Sequence, residues 1–292
     1  MTPPHRSAAD IITPRADLSY ADPSDGKLRR LAIRSIERMT GQPKLRRLYE
    51  SYLAERDPDF WSAGVRKLGL ILDYDVDRLD QIPAQGPVIV VANHPYGVLD
   101  GLMIGHLVQM RRPDFRVVAN GLLTRSAEAA PFLFPIDFAE TPSAVATNLR
   151  SRKESLAWLK SGGALIVFPG GTVSTAPKPF GPAVDPRWRP FTSKLVHGAR
   201  SPVVPVCFVG QNSRLFQLAS HVSLTLRMSL LFHEVANKIG SRQRIEIGDL
   251  VPYVAMAELR DRQALADELR RRTYGLHPTP RLANRVCRLR GS

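Results

Sequence analysis

Short apolar runs alternate along most of this chain with stretches in which apolar residues recur at every third or fourth position. The short runs predict buried strands, and the wider spacing predicts helices with one buried face. The predicted strands are residues 68–76, 88–92, 115–119, 164–168, 203–209 and 244–247, and the predicted helices are 102–110, 143–160 and 258–274. Strands that are apolar on both faces must be covered on both sides. The pattern therefore predicts an α/β fold with a mixed, largely parallel sheet flanked by helices.

An N-terminal amphipathic helical segment precedes this alternation. Residues 1–24 are rich in Pro, Ser and Asp without periodicity, so we expect a mobile leader, whereas residues 25–66 carry arginines between apolar positions at helical spacing. Basic amphipathic helices suit an anionic lipid surface, although many simply pack on their domain with the charged face in water. The predicted units are a leader (1–24), a membrane-facing helical segment (25–66), an α/β domain (67–254) and a C-terminal helix with a basic tail (255–292).

The formal net charge of +14 indicates an anionic partner, which could be a nucleic acid, an anionic membrane surface or an acidic carrier protein. Only 7% of the residues are aromatic and no nucleic-acid-binding module pattern is present, so we expect no nucleic acid partner. The two cysteines, Cys207 and Cys287, lie far apart, which argues against a disulfide framework or a zinc site. Without a signal-peptide pattern or an apolar run of roughly 18 residues, we expect a cytosolic protein or one attached to a membrane from the cytosolic side.

A histidine and an aspartate follow the predicted strand 88–92. His94 comes directly after the strand end, where ligands bind in open α/β sheets, and Asp100 follows six residues later. Pro95 and Gly97 favour a tight loop that would bring the two side chains together. A carboxylate beside an imidazole stabilises its protonated form, so the histidine can act as a general base. The alternative is that Asp100 only caps the following helix.

Two more predicted strands end in polar loops. Strand 164–168 leads into Pro-Gly-Gly-Thr-Val-Ser, residues 169–174, and strand 203–209 leads into Gly-Gln-Asn-Ser, residues 210–213. Small residues leave backbone N–H groups free to bind an oxyanion or a phosphate, although a Pro-Gly-Gly sequence is often only a turn. Because three strands deliver polar residues to what we expect to be one sheet edge, we predict a single active site there.

Together, these loops resemble the glycerolipid acyltransferase superfamily, which includes the bacterial 1-acylglycerol-3-phosphate acyltransferases. That family has Asn-His, four residues and Asp, then Phe-Pro-Glu-Gly-Thr-Arg-Ser and a Val-Pro strand, whereas Asn93-His94 and Asp100 enclose five residues here. The form His-Pro-x-Gly-x-x-Asp-Gly is more similar to the hemolysin-like acyltransferases and the O-acyltransferases of ornithine-lipid synthesis. Further matches to that branch are Val173-Ser174, Trp188, Lys194 and residues 205–213.

The family's third motif, Phe-Pro-Glu-Gly-Thr-Arg-Ser, corresponds to residues 168–174 here, and this stretch departs from both branches. Gly170 and Val173 stand where the phosphatidic-acid branch has glutamate and arginine, and Thr172 stands where the ornithine-lipid branch has glutamate. The residues that hold the acceptor phosphate in the first branch are therefore missing at their expected positions. The candidate anion-binding substitutes are Arg125, Lys178, Lys194 and Arg214.

The resemblance implies transfer of a fatty acyl group from an acyl carrier protein or coenzyme A thioester to the hydroxyl of a lysophospholipid or lyso-ornithine lipid. It implies a general base, His94, oriented by Asp100, and no metal or bound cofactor. The implied oxyanion or acceptor-binding loop comprises Gly170, Gly171, Thr172 and Ser174, and the implied supporting residues are Asn93, Gly97 and Asn212. The expected partners are the thioester donor and anionic membrane lipids. The expected location is peripheral, on the cytoplasmic face of the inner membrane.

Three other classes compete with this interpretation. A serine hydrolase would need a Gly-x-Ser-x-Gly nucleophile elbow, which the chain lacks. A basic nucleic-acid-binding protein would account for the charge. A catalytically weak, lipid-binding relative of the acyltransferases would account for the changed third motif.

Overall fold

A seven-stranded sheet lies at the centre of the part of the chain that the computed structural model describes, namely residues 26–27, 30–31, 34–35, 42–55, 59–139, 141–178, 181–222 and 224–279. The predicted leader and the predicted basic tail after residue 279 lie outside the described residues. The strands are β1 (Ile71–Asp73), β2 (Val88–Ala92), β3 (Phe115–Asn120), β4 (Leu133–Ile136), β5 (Ala164–Val167), β6 (Val203–Val209) and β7 (Arg242–Ile247). Their order across the sheet is β1-β7-β6-β2-β5-β3-β4.

The sheet is mixed and largely parallel, which confirms the predicted fold class. The five neighbouring strands from β6 to β4 are parallel, β7 is antiparallel to β6, and β1 is parallel to β7. The bounds of β2 and β6 are those predicted. β1 is shorter than the predicted strand 68–76 because Leu68 caps the preceding helix and Gly69, at φ 59°, turns the chain.

One strand was missing from the prediction. β4 lies in a stretch that contains Pro131 and Pro135, and prolines usually argue against a strand. It is tolerated here because β4 is at the edge of the sheet, where it pairs only with β3.

Helices cover both faces of the sheet. They are α1 (Gln42–Glu55), α2 (Phe60–Lys67), α3 (Val98–Arg111), α4 (Pro142–Lys160), α5 (Phe191–Ala199), α6 (Arg214–Val222), α7 (Leu224–Ser229), α8 (Leu231–Asn237) and α9 (Arg262–Gly275). Alternate residues of β2 point to opposite faces, since Val90 packs in the cluster that holds α3 whereas Ile89 and Val91 pack in the cluster that holds α9. All five residues of β2 are fully buried, so this central strand supports both layers of the core.

The helices α1 and α2 pack on the α/β layer through aromatic side chains. The ring centre of Trp61 lies 5.2 Å from that of Phe60 and 5.6 Å from those of Phe115 and Phe132. A Cβ atom at Gly105 would lie 2.3 Å from the Trp61 ring, so α3 approaches α2 closely at this glycine. In the described ranges, no helix is long and apolar enough to cross a membrane.

Candidate active site

Three loops meet at one edge of the sheet, because β6, β2 and β5 are adjacent, parallel strands. The loop after β2 carries His94, the loop after β5 begins at Phe168, and the loop after β6 begins at Gly210. This juxtaposition is the one predicted from the three strand ends.

The structure brings His94 and Asp100 together. The Nδ1 atom of His94 lies 3.0 Å from Oδ2 of Asp100, whose side chain is fully buried, while the imidazole is 19% exposed. The same carboxylate oxygen accepts hydrogen bonds from the backbone N–H groups of Tyr96 (2.8 Å) and Gly97 (2.9 Å). The carboxylate therefore fixes both the loop backbone and the histidine ring.

The position of Asp100 in the helix differs from the sequence prediction. Helix α3 begins at Val98 rather than at residue 102, so Asp100 lies in its first turn instead of preceding it. Gly97 is the N-cap, with φ at 77°, a backbone conformation that side chains other than glycine rarely adopt. Asp100 thus closes a capping box on the Gly97 N–H and faces His94 with the same oxygen.

Burial shapes the electrostatics of this pair. Removal from water raises the pKa of the Asp100 carboxyl above its usual range, and the interaction with His94 and the two backbone N–H groups oppose that rise. A buried carboxylate needs such partners. A positive charge on His94 would complement it, which is the condition for imidazole to accept a proton during a reaction.

An aromatic ring also packs against the imidazole. Phe168, the first residue after β5, stacks on His94 with a centroid distance of 4.2 Å and an interplanar angle of 30°. Of the hydrogen bonds in the described structure, none occupies Nε2 of His94. That nitrogen is therefore available to a ligand.

The loop after β5 carries the third motif at residues 168–174, and this stretch is called the third loop below. It is tied to His94 by a buried carboxylate, Asp185, that the sequence analysis missed. Asp185 Oδ1 accepts a hydrogen bond from the His94 backbone N–H (3.1 Å) and from the Ser174 hydroxyl, and Oδ2 accepts one from Trp188 Nε1 (2.8 Å). A Cβ at Gly170 would lie 3.1 Å from Asp185 Oδ2. An acidic group therefore occupies the space beside Gly170, but it comes from a later part of the long loop 168–190 between β5 and α5, outside the motif.

The structure places the predicted oxyanion-loop residues unequally. The Ser174 side chain is buried and bonded to Asp185, and the Gly171 N–H donates to the Phe168 carbonyl at 3.0 Å. No backbone hydrogen bond in the described structure uses the N–H groups of Gly170 and Thr172. The backbone N–H of Val173 is likewise unused there, so three N–H groups of this loop can donate to a ligand.

The supporting residues hold the loops to the sheet. Asn93 donates from Nδ2 to the Phe208 carbonyl (2.9 Å) and accepts the Phe208 N–H (2.7 Å), which joins β2 to β6. Ser213 donates from its backbone N–H and its hydroxyl to Glu234, at 2.8 and 2.6 Å, which joins the loop after β6 to α8. Asn212 is buried beside it, and its amide makes no hydrogen bond within the described chain.

The predicted anion-binding residues are scattered. Lys178 is exposed in the long loop, Lys194 lies on α5, and Arg214 is exposed at the start of α6. Arg125 ends a short 3₁₀ helix, and its side chain lies outside what the structure describes. A cation that does contact the third loop is Arg227, which the sequence analysis did not select.

An apolar cavity of about 270 Å³ opens beside the loop that carries His94. Gly97 and Phe168 line it at the His94 end, and it extends between the N-terminal helices and the sheet. Other residues that line it are Tyr52, Trp61, Gly101, Leu102 and Leu231. Among the described residues, no cluster of His, Cys, Asp or Glu side chains has the arrangement of a metal site.

Residues 19–279 match the family described as Acyltransferase, and the chain therefore belongs to the acyltransferase family. This agrees with the resemblance of the three loops to the glycerolipid acyltransferase superfamily.

Two relatives carry the name lyso-glycine lipid O-acyltransferase. The protein from Phocaeicola vulgatus is 29% identical over 190 residues, which cover 61% of this chain and 64% of the relative. The protein from Bacteroides thetaiotaomicron is 30% identical over 160 residues, which cover 52% and 54% of the two chains. The chain thus spans less than two thirds of the length of these relatives. The crystal structure of the 1-acyl-sn-glycerophosphate acyltransferase PlsC from Thermotoga maritima aligns with 91% of this chain and 98% of that one, with a TM-score of 0.48 and 16% identity.

Proposed function

We propose that the protein is a lysolipid O-acyltransferase, which moves an acyl group from a thioester to the hydroxyl of a lysolipid. The observation that carries this proposal is the contact of 3.0 Å between His94 and the buried Asp100, beside an apolar cavity that Gly97 and Phe168 line. Membership of the acyltransferase family and the names of the two relatives support the same reaction class.

In the proposed reaction, Nε2 of His94 takes the proton from the acceptor hydroxyl as its oxygen attacks the thioester carbonyl. The new C–O bond gives a tetrahedral oxyanion, and its collapse breaks the C–S bond. His94 then returns the proton to the departing thiolate. Asp100 stabilises the imidazolium between these two steps. Because the acceptor oxygen attacks the thioester directly, no covalent acyl-enzyme is needed.

The backbone N–H groups of Gly170 and Thr172 are the proposed donors to the oxyanion. They lie in a loop held against the catalytic loop by the bond of 2.8 Å from the Ser174 N–H to the His94 carbonyl. A preorganised donor of this kind is typically worth about 10²–10³ in turnover.

We propose that the acyl chain enters the apolar cavity while the thioester carbonyl stays at His94. The cavity wall is built almost wholly from aliphatic and aromatic side chains, which favour an alkyl chain over water. The donor is an acyl carrier protein or coenzyme A thioester. The acceptor is a lysolipid with an anionic head group, and the relatives' names favour a lyso-amino-acid lipid over a lysophospholipid.

The test is acyl transfer by the purified protein, with acyl carrier protein and coenzyme A thioesters as donors and with lyso-glycine lipid, lyso-ornithine lipid and lysophosphatidic acid as acceptors. His94→Ala should lower turnover at least about 100-fold because the general base is lost. His277→Ala, at a histidine beyond α9, is the matched control and should retain full turnover. Undiminished turnover by His94→Ala, or lipid binding by the wild-type protein without transfer to any acceptor, would refute the proposal.

A further inference from the structure

The side chain of Arg227, on α7, reaches the third loop of the active site. Its Nη2 atom donates to the Thr172 hydroxyl and to the Val173 carbonyl, the latter at 3.2 Å. Its guanidinium carbon lies 5.9 Å from the centre of the Phe216 ring. The loop residues Pro169 to Ser174 contain no cation of their own, so Arg227 supplies the positive charge from another element.

Among the described residues, this guanidinium has no carboxylate counterion. Within the described chain, no carboxylate lies at ion-pair distance from Arg227, and its Nε atom is buried without a hydrogen-bond partner. The guanidinium is partly withdrawn from water, and this burial lowers the pKa of Arg227 below its usual value. A partly buried cation without an anionic partner is costly, and an anion that arrives from outside would relieve that cost.

A short series of contacts links Arg227 to the catalytic pair. It bonds to Val173, and a Cβ on Gly97 would lie 3.2 Å from the Val173 side chain. Gly97 in turn donates to Asp100, and the residue after Val173, Ser174, donates to the His94 carbonyl. An anion bound by Arg227 would therefore lie at the active-site edge where His94 meets the acceptor.

We propose that Arg227 binds the anionic group of the acceptor lysolipid, either a carboxylate or a phosphate. A guanidinium suits both because its planar fork can donate two parallel hydrogen bonds. The assignment rests on the proposed function, and it replaces the earlier candidates Lys178, Lys194 and Arg214 with a residue that contacts the loop.

The experiment compares acceptors with and without the charge. The acids are N-(3-hydroxydecanoyl)glycine and 1-decanoyl-glycerol-3-phosphate, and their neutral counterparts are the glycine methyl ester and 1-monodecanoylglycerol. Arg227→Gln should raise the KM for the acids about 10- to 100-fold, as expected for a hydrogen bond to a charged group. It should leave the KM for the neutral acceptors and for the donor unchanged. Whichever acid shows the larger effect identifies the head group.

Two variants complete the set. Arg227→Lys keeps the charge and should restore part of the affinity for the acids. Arg150→Gln removes an exposed arginine from α4, on the opposite face of the sheet, and should behave as the wild-type protein does. A KM change for the donor alone, or equal losses on acids and neutral acceptors, would overturn the assignment.

Measurements on the wild-type protein also test whether the acceptor's anionic group is bound, and they do not depend on the stability of the variants. If it shows the same KM for an acid and its neutral counterpart, Arg227 has no such role. If no acceptor is acylated, the proposed function fails, and fluorescence titration with the glycine acid and its methyl ester then tests the anion site separately. Tighter binding of the acid that is lost in Arg227→Gln would sustain the site, and equal binding would refute it.

Discussion

A buried carboxylate, Asp185, connects the loop that carries His94 with the third loop. Its two oxygens accept three hydrogen bonds, from the His94 N–H, the Ser174 hydroxyl and Trp188 Nε1. The side chain of an asparagine has only one oxygen, so its NH₂ group would face at least one of these donors. Leaving a buried donor unpaired costs about 1–3 kcal/mol. Asp185 is a positioning residue in this arrangement, since it bonds the backbone of His94 and not the ring.

Asp185→Asn should therefore lower kcat about 10- to 100-fold while leaving the acceptor KM unchanged, because the histidine is displaced but the anion site is not. Steady-state kinetics with a melting curve check this. Asp249→Asn removes a carboxylate that is 82% exposed and should change neither quantity. A variant of Asp185 that melts earlier but keeps its kcat would reduce the residue to a purely structural role.

The sequence patterns revealed site residues that lie within one short segment, and they did not reveal residues that reach the site from distant segments. His94 and Asp100 could be predicted because a tight loop of the same short segment joins them. Asp185 and Arg227 could not, since they reach the site from 91 residues beyond His94 and from 55 residues beyond Thr172. Ser174 lies in the predicted loop, but its hydroxyl donates its hydrogen bond to Asp185 and is not left to donate to a ligand.

At the scale of elements, helix α3 carries two glycines with opposite surroundings. Gly101 lines the apolar cavity, and a Cβ there would meet no atom within 4 Å. Gly105 lies against Trp61, where a Cβ would come within 2.3 Å of the ring. One glycine leaves space for a ligand, and the other lets α2 and α3 approach.

Gly101→Leu should fill part of the cavity and lower kcat/KM for long acyl donors at least about 10-fold more than for short ones, as expected when several buried methylenes lose their site. Because leucine favours the helix more than glycine does, the melting temperature should not fall. Gly105→Ala is the contrasting variant, and it should lower the melting temperature without changing chain-length preference. An unaltered preference in Gly101→Leu would place the acyl chain elsewhere.

The strand prediction was most accurate where both faces are buried. β2 and β6 have the predicted bounds because their continuous apolar runs end in polar loops. The prediction missed β4, because an edge strand tolerates a proline and a local pattern does not reveal which strand is at the edge. It also started β1 too early, because residues 68–70 end the preceding helix. Likewise, α3 begins earlier than predicted because Gly97 caps it.

At the scale of the whole molecule, the net charge of +14 predicts how the protein meets its substrates. Basic residues near an anionic bilayer contribute about 1 kcal/mol each, and salt screens that attraction. We expect binding to vesicles that contain anionic lipid, weakening as salt rises, and little binding to vesicles of neutral lipid. Sedimentation of the protein with each vesicle type at several salt concentrations measures this. Tighter binding to an oligonucleotide than to anionic vesicles would instead support the nucleic-acid alternative.

The closeness of Gly170 to Asp185 also restricts how this sequence can change over evolutionary time. A glutamate at position 170 of this chain would compete for the volume that Asp185 fills and would duplicate its charge. A chain that acquired the glutamate first would carry two carboxylates in one buried space, and a chain that lost Asp185 first would carry none. A glutamate at position 170 and an aspartate at position 185 are therefore alternatives in this fold, and exchanging one for the other requires changes at both positions together.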